Sequence, residues 1–436
     1  MKHLLAALEQ RLAALAVRVT LELPGGLRLG AEDAEVRVIL HSSAALLALA
    51  QGQLGTLGAA VVEGQADLHG SMRNIMAVAR GLLHGDPVRG NPSWWAHTMA
   101  RARSMALHTL ERDAQQVQFH YDLSDDFYAL WLDPLRVYSC AYYREPQLTL
   151  AQAQQAKLDH ICRKLDLQPG ERLLDLGCGW GSLMLWAAEH YGVYAKGVTL
   201  SRNQYNHVRQ RIQDAGLQER VQVELCDYRQ MADAPYDKLA CVGMVEHVGQ
   251  ANLPAFFQAV RQCLRPGGWG LIHGISAGGT RNHALGTGMG AFMDRYIFPG
   301  GELVHISGML QALADAGLEM VDTENLRPHY ARTLWDWSDA LEAQLPVAQQ
   351  ILTAQTDTER APQALRAYRL YLAGSAMGFE QGWLGLHQIL LIHPSGDWAA
   401  GRLRGAQSTY PFQREYMYYK GEETWHTPSN RVQPQT

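Results

Sequence analysis

The chain has 436 residues, more than one hydrophobic core usually organises, so we expect two or three domains or one domain with large insertions. Its hydrophobic fraction of 47% and charged fraction of 19% are ordinary for a globular protein, and no run approaches the roughly 18 apolar residues that cross a bilayer. The net charge of −5 argues against a general nucleic-acid binder. The six cysteines form no CxxC pair, which indicates neither a zinc site nor a disulfide framework and favours a reducing, cytoplasmic location.

The first 90 residues read as a small α+β domain. The N-terminus resembles a signal peptide, but Glu9 and Arg11 interrupt its apolar run and we find no convincing cleavage site. An amphipathic helix is predicted instead from a stripe of leucines, Leu4, Leu5, Leu8, Leu12 and Leu15. Residues 17–70 alternate short apolar and polar runs between glycines, which predicts a small curved sheet, and a helix is expected over 72–83.

A linker is predicted over residues 85–93, because glycine and proline are concentrated there. The next 20 residues have a helical pattern and begin with Trp94 and Trp95. Six arginines and only two acidic residues lie from Arg73 to Arg112, a local excess of +4. Such a helix could lie on an anionic membrane surface. The alternative is a solvated helix whose tryptophans dock on the next domain.

From about Asp166 to Leu271, strand-like apolar runs alternate with helical runs, which predicts a parallel sheet wrapped by helices on both faces. The predicted strands are 172–176, 195–199, 221–225, 238–242 and 270–272. Beyond His273 a long stretch rich in glycine, methionine and aromatic residues interrupts the sheet, and residues 385–394 supply a late strand. The last residues, from about Lys420, are polar and are expected to fray.

The most informative motif is LLDLGCGWGS, at residues 173–182. A buried strand ends in Asp175 and is followed by Gly177, Gly179 and Gly181 and then by a helical run. Glycines let the backbone turn sharply and approach a ligand, and the helix that follows points its amides at negative groups. The G-x-G-x-G spacing differs from the dinucleotide form and favours S-adenosylmethionine over NAD. A simple tight turn is the alternative.

No acidic residue follows the second strand, where folds of this type usually place one to bind ribose hydroxyls. The sequence there is GVTLSRNQ, in which Thr199, Ser201 and Gln204 could supply hydrogen bonds instead. Asp227 and Tyr228 follow the third strand, where an adenine ring would be read. For each of these residues the alternative is an ordinary polar loop position.

Further motifs extend this pattern: VGMVEHVG at 242–249, HYDLSDDFY at 120–128, VYSCAYY at 137–143 and RYIFPGG at 295–301. With GCGWG and GVTLSRNQ, they resemble the bacterial cyclopropane-fatty-acyl-phospholipid synthases and the related mycolic acid cyclopropane synthases and methyltransferases. The resemblance covers about residue 118 to the late strand, and the first 90 residues more weakly. It implies a Rossmann-like class I methyltransferase fold with helical insertions. A lipid- or membrane-associating domain (1–90), a catalytic domain (91–420) and a polar tail (421–436) would follow one another.

The resemblance also implies the site residues. Cofactor contacts match Tyr138, Ser139, Gly177, Thr199 and Gln204. The family's bicarbonate site matches Cys140, Glu246, His273, Ile275 and Tyr330, where Cys140 and Ile275 act largely through the backbone. The implied substrate is a phospholipid with an unsaturated acyl chain. The implied enzyme is a cytoplasmic homodimer that binds peripherally to the inner face of the membrane.

The chemistry explains these residue types. An alkene attacks the sulfonium methyl, a carbocation forms on the chain, and ring closure follows removal of a proton from the new methyl group. A proton acceptor must lie within reach; Glu246 would accept a hydrogen bond from bicarbonate, and His273 and Tyr330 would donate. Aromatic faces stabilise a cation by roughly 0.5–2 kcal/mol each. Candidates for that lining, with core packing as the alternative, are Tyr142, Tyr143, Trp180, Tyr228, Phe292, Tyr296 and Phe298.

Other interpretations stay open at this point. The same mechanism can end in a methylene or methyl branch after loss of a different proton. A methyltransferase for a small hydroxyl or amine substrate would need neither a lipid-facing domain nor bicarbonate. A lipid-binding or scaffold protein without catalysis is disfavoured by intact GCGWG, Cys140, Glu246 and His273. Taken alone, Glu246 could cap a helix and His273 could be a satisfied core histidine.

Overall fold

The structure is a computed structural model that describes residues 2–83, 87–88, 125–231, 235–280, 285–355, 360–395 and 410–418. Some sequence predictions lie outside the described residues and stay predictions: most of the linker at 85–93, the arginine–tryptophan stretch at 94–113, the start of the HYDLSDDFY motif and the tail at 421–436. Among the described helices, none has both the length and the apolarity that a bilayer crossing requires.

The N-terminal unit combines a mixed four-stranded sheet with helices. Its elements are α1 (Lys2–Ala13), β1 (Val19–Glu22), β2 (Arg28–Gly30), β3 (Val36–Leu40), α2 (Ser43–Ala50), α3 (Leu54–Val62), β4 (Ala66–His69) and α4 (Met72–Leu82). The strand order is β2-β1-β3-β4; β1 runs parallel to β3, and the other neighbours are antiparallel. Val36 and Val38 are buried and Arg37 between them is exposed, so one face of β3 packs inward. The predicted α+β character and the helix from residue 72 are confirmed.

The larger unit contains a seven-stranded sheet in the order β10-β11-β9-β8-β5-β6-β7. Strands β5 to β9 run parallel, and β11 is antiparallel to both of its neighbours, β9 and β10. The strands are β5 (Arg172–Leu176), β6 (Tyr194–Thr199), β7 (Val221–Leu225), β8 (Tyr236–Val242), β9 (Leu264–Ala277), β10 (Glu319–Asn325) and β11 (Leu384–Ile392). This confirms the predicted α/β class with a mostly parallel sheet.

Helices cover both faces of this sheet. The helices of the larger unit are α5 (Asp125–Ala129), α6 (Leu150–Lys164), α7 (Ser182–Tyr191), α8 (Arg202–Asp214), α9 (Leu253–Cys263), α10 (Met289–Tyr296), α11 (Ile306–Asp315), α12 (Arg327–Glu342), α13 (Leu345–Gln355) and α14 (Arg360–Glu380). Leu173 of β5 packs in one core with α6 and α7, whereas its neighbour Leu174 packs in another with α9 and α11. Successive side chains of β5 therefore pack against the helices on opposite faces of the sheet.

Two strands differ from the sequence prediction. Strand β9 begins at Leu264 rather than at 270, because the Arg-Pro-Gly-Gly segment that reads as a turn is paired: the Gly267 amide donates to the His393 carbonyl over 2.7 Å. Strand β10 (EMVDTEN) was not predicted. It lies at an edge of the sheet, is only partly buried and carries charges that hide its strand pattern.

The N-terminal unit docks on α10 and α14, which with α12 and α13 form a helical insertion in the larger unit, and the two units share one hydrophobic core. Helix α3 lies so close to the start of α10 that a Cβ on Gly55 would be 2.0 Å from the Gly288 carbonyl oxygen. The Gly55 amide donates to the Thr287 carbonyl over 3.0 Å. An ion pair between Arg295 and Glu63, at 2.7 Å, lies near the same contact. The boundary near residue 90 itself stays a prediction.

Candidate active site

The glycine loop connects β5 to α7 at the carboxyl ends of the parallel strands, where α/β folds bind ligands. Gly177 has φ +73°, and a Cβ there would lie 3.0 Å from the Met244 side chain. Any larger residue would therefore be strained and would also crowd Met244. The loop borders a first cavity, the cofactor pocket, which encloses about 1170 Å³ including its open mouth.

All but one of the residues predicted to bind the cofactor line this pocket: Tyr138, Ser139, Asp175, Gly177, Gly179, Thr199, Gln204, Asp227 and Tyr228. The exception is Gly181, which does not border the pocket, so its assignment as a cofactor contact stays a prediction. It precedes α7 with φ +78°, and a Cβ there would lie 2.9 Å from Val208. The absence of a side chain at Gly181 lets the start of α7 pack closely against α8.

A buried acid and a buried base lie in the wall of the cofactor pocket. Burial raises the pKa of Asp175 to about 7, and the cation of Lys157 opposes this shift. Burial lowers the pKa of Lys157 to about 8, and its ammonium donates to the Ser139 hydroxyl over 3.0 Å. Sequence reasoning missed Lys157. A signal was present, because it lies three residues after Gln154 and four before Ile161 on the buried face of α6.

Side-chain hydrogen bonds hold the loops of this pocket. The Gln154 amide donates to the carbonyls of Val137 and Ser139, over 3.2 and 2.9 Å. After the second strand, the Thr199 hydroxyl accepts from the Ser201 amide over 3.1 Å and donates to the Gln204 amide oxygen over 2.8 Å. These contacts fix a loop that lacks the usual acid.

Asp227 is paired rather than free. Arg229 donates to both of its oxygens, from Nε over 2.8 Å and from a terminal nitrogen over 2.7 Å. Its neighbour Tyr228 packs edge-on against Phe256 and presents part of its surface to the pocket. The pocket thus offers a glycine cradle, hydroxyl and amide groups, a buried carboxylate and an aromatic ring. This set fits the adenosine and the charged amino-acid portion of S-adenosylmethionine.

A second cavity, the apolar cavity, encloses about 2020 Å³ including its mouth. All the residues predicted for the bicarbonate site line it: Cys140, Glu246, His273, Ile275 and Tyr330. The two cavities share wall residues, namely Tyr138, Ser139, Gly243 and His247. The two cavities therefore adjoin at these residues.

Glu246 follows β8 and faces the apolar cavity. Its Oε1 accepts a hydrogen bond from the Ile275 amide over 2.6 Å, while Oε2 is buried and has no hydrogen-bond partner in the described part of the chain. Protein surrounds the carboxyl, and this burial raises the pKa of Glu246 to about 7. Such a group can exchange a proton near neutral pH.

His273 of β9 is buried, and burial lowers its pKa well below the ordinary value, helped by the nearby cations of Lys157 and Lys164. The Gln388 amide donates to Nδ1 over 3.2 Å, so the neutral ring carries its proton on Nε2. That atom has no partner among the described residues. Sequence reasoning missed Gln388, which is the one amide in the apolar run of β11.

The other residues of this site have narrower roles. The Cys140 thiol donates to the Ala141 carbonyl over 3.2 Å, and burial raises its pKa, so it stays a neutral thiol. The Ile275 amide, expected to face the ion, is used by Glu246 instead. Tyr330 packs against Phe379 with ring centroids 4.7 Å apart.

The aromatic lining differs in part from the prediction. Phe292 and Phe298 line the apolar cavity, and Trp180 and Tyr228 line the cofactor pocket. The other three candidates border neither cavity, because each has a partner elsewhere: Tyr142 stacks on His160, the Tyr143 hydroxyl donates to Asp336, and the Tyr296 hydroxyl donates to Glu63.

An aromatic residue not predicted from the sequence, Tyr371 of α14, does line the apolar cavity. Its hydroxyl accepts from the Tyr138 hydroxyl over 3.2 Å, and its ring lies edge-on to Phe298. Nothing in its helical sequence context distinguishes it from a core position. Its placement depends on how the insertion packs over the sheet.

Comparisons with known proteins agree with this geometry. The sequence profile described as "Mycolic acid cyclopropane synthetase" matches residues 108–389. A "Probable fatty acid methyltransferase" of Pseudomonas putida is 40% identical over 385 residues, which cover 88% of this chain and 92% of the relative. That similarity extends into the N-terminal unit, which the profile leaves out.

Solved structures are similar over the larger unit. The cyclopropane synthase MmaA2 from Mycobacterium tuberculosis is 34% identical, with a TM-score of 0.58 over 64% of this chain and 98% of that one. The mycolic acid cyclopropane synthase CmaA1 complexed with SAH and CTAB is 37% identical, with the same TM-score and the same coverage. Glycine loop, sheet order and sequence therefore agree: the chain belongs to the mycolic acid cyclopropane synthetase family and has the fold of the class I S-adenosylmethionine-dependent methyltransferases.

Proposed function

We propose that the protein transfers a one-carbon unit from S-adenosylmethionine to the cis double bond of an unsaturated acyl chain of a phospholipid and closes a cyclopropane ring. One observation carries the proposal. A polar pocket with a glycine cradle shares the wall residues Tyr138, Ser139, Gly243 and His247 with a large apolar cavity. A soluble amine or alcohol would not need an apolar cavity of this size.

The residues of the cofactor pocket bind and orient the cofactor. When bound, S-adenosylmethionine supplies an electrophilic methyl group on a sulfonium. Gly177 would let the backbone approach it, and Thr199 and Gln204, which line the pocket, would hold the ribose hydroxyls. Asp175 supplies a buried carboxylate to a positively charged ligand, which would restore its ionised form.

Walls of the apolar cavity exclude water from the reacting carbons and face a developing positive charge. Phe298, Tyr330 and Tyr371 are the aromatic candidates around Glu246 and His273. An aromatic face contributes roughly 0.5–2 kcal/mol to a nearby cation. Exclusion of water also prevents capture of the cation as an alcohol.

Glu246 and His273 fit the family's bicarbonate ion. Both residues line the cavity, and within the described residues each has a buried, unpartnered polar atom of opposite hydrogen-bond character, an acceptor at Glu246 Oε2 and an N–H donor at His273 Nε2. A bound bicarbonate would supply a small, replaceable base there. Cys140 and Tyr330 would complete the wall, and Ile275 would act indirectly, by orienting Glu246.

A second product is favoured by one comparison. The relative that is similar over 88% of this chain is named a fatty acid methyltransferase, not a cyclopropane synthase. If a hydride first shifts to the cationic carbon, loss of a proton from the methyl group leaves a methylene branch, whereas loss of a proton from a neighbouring chain carbon leaves a methyl branch beside a double bond. The position of the base relative to the new methyl group decides between these products.

We further propose peripheral binding to an anionic membrane surface on the cytoplasmic face, through the N-terminal unit and the arginine–tryptophan stretch, and a homodimeric enzyme. The support is that an acyl chain must leave a bilayer to reach the apolar cavity. Flotation with anionic liposomes should weaken as salt rises, since the screening length is about 8 Å at physiological ionic strength. Sedimentation velocity reports the oligomeric state.

The test of the proposed reaction is lipid analysis after expression with a labelled methyl donor. We expect label in unsaturated acyl chains and a loss of about 10²–10⁴-fold in rate for Glu246→Gln, because proton transfer typically contributes that much. Glu219→Gln changes an exposed glutamate outside both cavities and is the matched control. Full activity of Glu246→Gln would show that the base site is wrong.

A further inference from the structure

We propose that the N-terminal unit is part of the substrate site: it receives the methyl end of the acyl chain and limits how many carbons can lie beyond the double bond. This rests on the proposed function in one respect, that the chain reacts beside Glu246 and His273. The proposal assigns a binding role to residues of β3, α3 and α4. They lie before the part of the chain that the family profile matches.

The apolar cavity continues from the reaction site into the N-terminal unit. Near its polar end it is bordered by Glu246, His273 and Tyr138. From the N-terminal unit it is lined by Val36, Val38, Leu49, Leu54, Gly55, Leu57, Gly58, Val61, Leu68, Ile75, Met76, Val78, Ala79 and Leu82. One cavity therefore joins the two units.

Every N-terminal residue in that wall is apolar. A headgroup or carboxyl ester buried there would lack hydrogen-bond partners among the described residues, which is costly. The methyl end of an acyl chain is its only end without polar atoms. Each methylene group buried raises affinity by roughly fourfold, so a long apolar tail gains steadily from this wall.

An empty space of this kind is not ordinary domain packing. Protein interiors are packed about as densely as organic crystals, and voids larger than a water molecule are few. The apolar cavity lies at a junction where elsewhere Gly55 and Gly288 bring backbones into contact. The two units are thus closely packed at one place and leave a cavity at another, as expected of a ligand-binding site.

Gly374 supports this interpretation independently. It lies inside the long helix α14, where glycine is less favourable than alanine. A Cβ built on it meets no atom of the described residues within 4 Å, so close packing does not require glycine there. Gly374 lines the apolar cavity, and any side chain would project into it. Space for a ligand explains the glycine.

The experiment varies the tail beyond the double bond. Phospholipids with one headgroup and one double-bond position, but with tails of increasing length, are assayed with S-adenosylmethionine. In Ala79→Leu we expect kcat/KM for the longest tail to fall at least tenfold while the shortest tail changes less than twofold. Ala77→Leu, on the same helix but outside the cavity, is the matched control.

A second variant comes from the other unit. Gly374→Leu should also lower activity more for long tails than for short ones, and Gly374→Ala should lie between it and the wild type. Thermal melting reports whether each variant folds. Loss that is equal for all tail lengths in both leucine variants, or no loss in either, would overturn the proposal.

Binding of a saturated fatty acid, measured by displacement of a fluorescent alkyl probe without cofactor, separates the two proposals. If no unsaturated lipid is methylated but Ala79→Leu still weakens binding of long fatty acids, the proposed reaction is wrong and the tail site stands. If methylation proceeds and neither leucine variant changes tail preference or fatty-acid binding, the tail site is wrong and the reaction stands.

Discussion

The two cavities are constructed in opposite ways. The cofactor pocket is bordered mainly by loops that follow parallel strands, and its polar groups are mostly paired, as Asp227 is with Arg229. The apolar cavity is assembled from distant parts of the chain, and two of its lining residues, Glu246 and His273, each have a buried polar atom without a partner among the described residues. The first is organised to hold a ligand, and the second is organised to leave groups available for chemistry.

This difference between the two cavities can be tested first at the glycine loop, where we expect the largest effect on ligand binding. Gly177→Ala places a Cβ 3.0 Å from Met244 at φ +73°. We expect affinity for S-adenosylmethionine to fall at least tenfold in calorimetry, with a stability loss of about 1–2 kcal/mol from the left-handed backbone. Fatty-acid binding should stay within twofold.

The matched control is Gly216→Ala. Gly216 has φ +66°, and a Cβ there meets no described atom within 4 Å. It should show a similar strain but normal cofactor affinity. Equal cofactor affinity in both variants would contradict the assignment of the glycine loop.

The buried Glu246 carboxyl of the apolar cavity should make the stability of the protein depend on pH. Burial raises the pKa of Glu246 from 4.5 to about 7, so between these values the folded protein holds a proton that the unfolded chain has released. Stability therefore falls as pH rises through this window, since the ionised carboxylate must remain buried. The raised pKa of Asp175 also makes stability fall as pH rises, and substitutions at Glu246 leave this contribution unchanged.

Glu246→Gln removes the contribution of this carboxyl and keeps an oxygen for the Ile275 amide. We expect the variant to melt above the wild type at pH 8 and close to it at pH 4.5, in thermal unfolding without ligand. A wild type that is the more stable protein at pH 8 would mean that this carboxyl has a charge partner, and the contrast between the two cavities would be lost.

The smallest expected effect tests whether there is free space around Gly374 in the apolar cavity. Gly374→Ala should stabilise the protein by about 0.5–1 kcal/mol, because alanine is preferred inside a helix and the space around it is free. Gly378→Ala, in the same helix, places its Cβ 3.4 Å from Leu384 and should gain less. Equal gains in denaturant unfolding would indicate that Gly374 is not specially open.

The same contrast explains what could be predicted from the sequence. The glycine loop, Thr199, Gln204 and Asp227 lie just after strands, and a local pattern is enough to place them at one edge of a parallel sheet. Glu246, in the VGMVEHVG motif, and His273 were identified through the family resemblance, and the structure brings both to one cavity. Gly181 was assigned by motif position, although its side of the loop packs on Val208.

The other features of the site could not be predicted from the sequence, because they depend on tertiary packing. Lys157 and Gln388 are polar residues on buried faces, and only their neighbours reveal what they contact. Tyr142 and Tyr143 belong to a recognisable motif, yet their partners His160 and Asp336 lie far along the chain. The extension of the apolar cavity into the N-terminal unit has no local signature, because its lining residues read as an ordinary core.

The central claim is that a double bond and a sulfonium methyl group meet where the two cavities adjoin. The most direct measurement uses purified protein, S-adenosylmethionine with a fully deuterated methyl group, and phospholipids whose acyl chains are either cis-monounsaturated or saturated. We predict label only in the unsaturated chain, with two of the three deuterium atoms retained because the new methyl group loses one, and a ring that survives the mild hydrogenation that reduces an alkene. Label in the headgroup, or in saturated and unsaturated chains alike, would contradict the account.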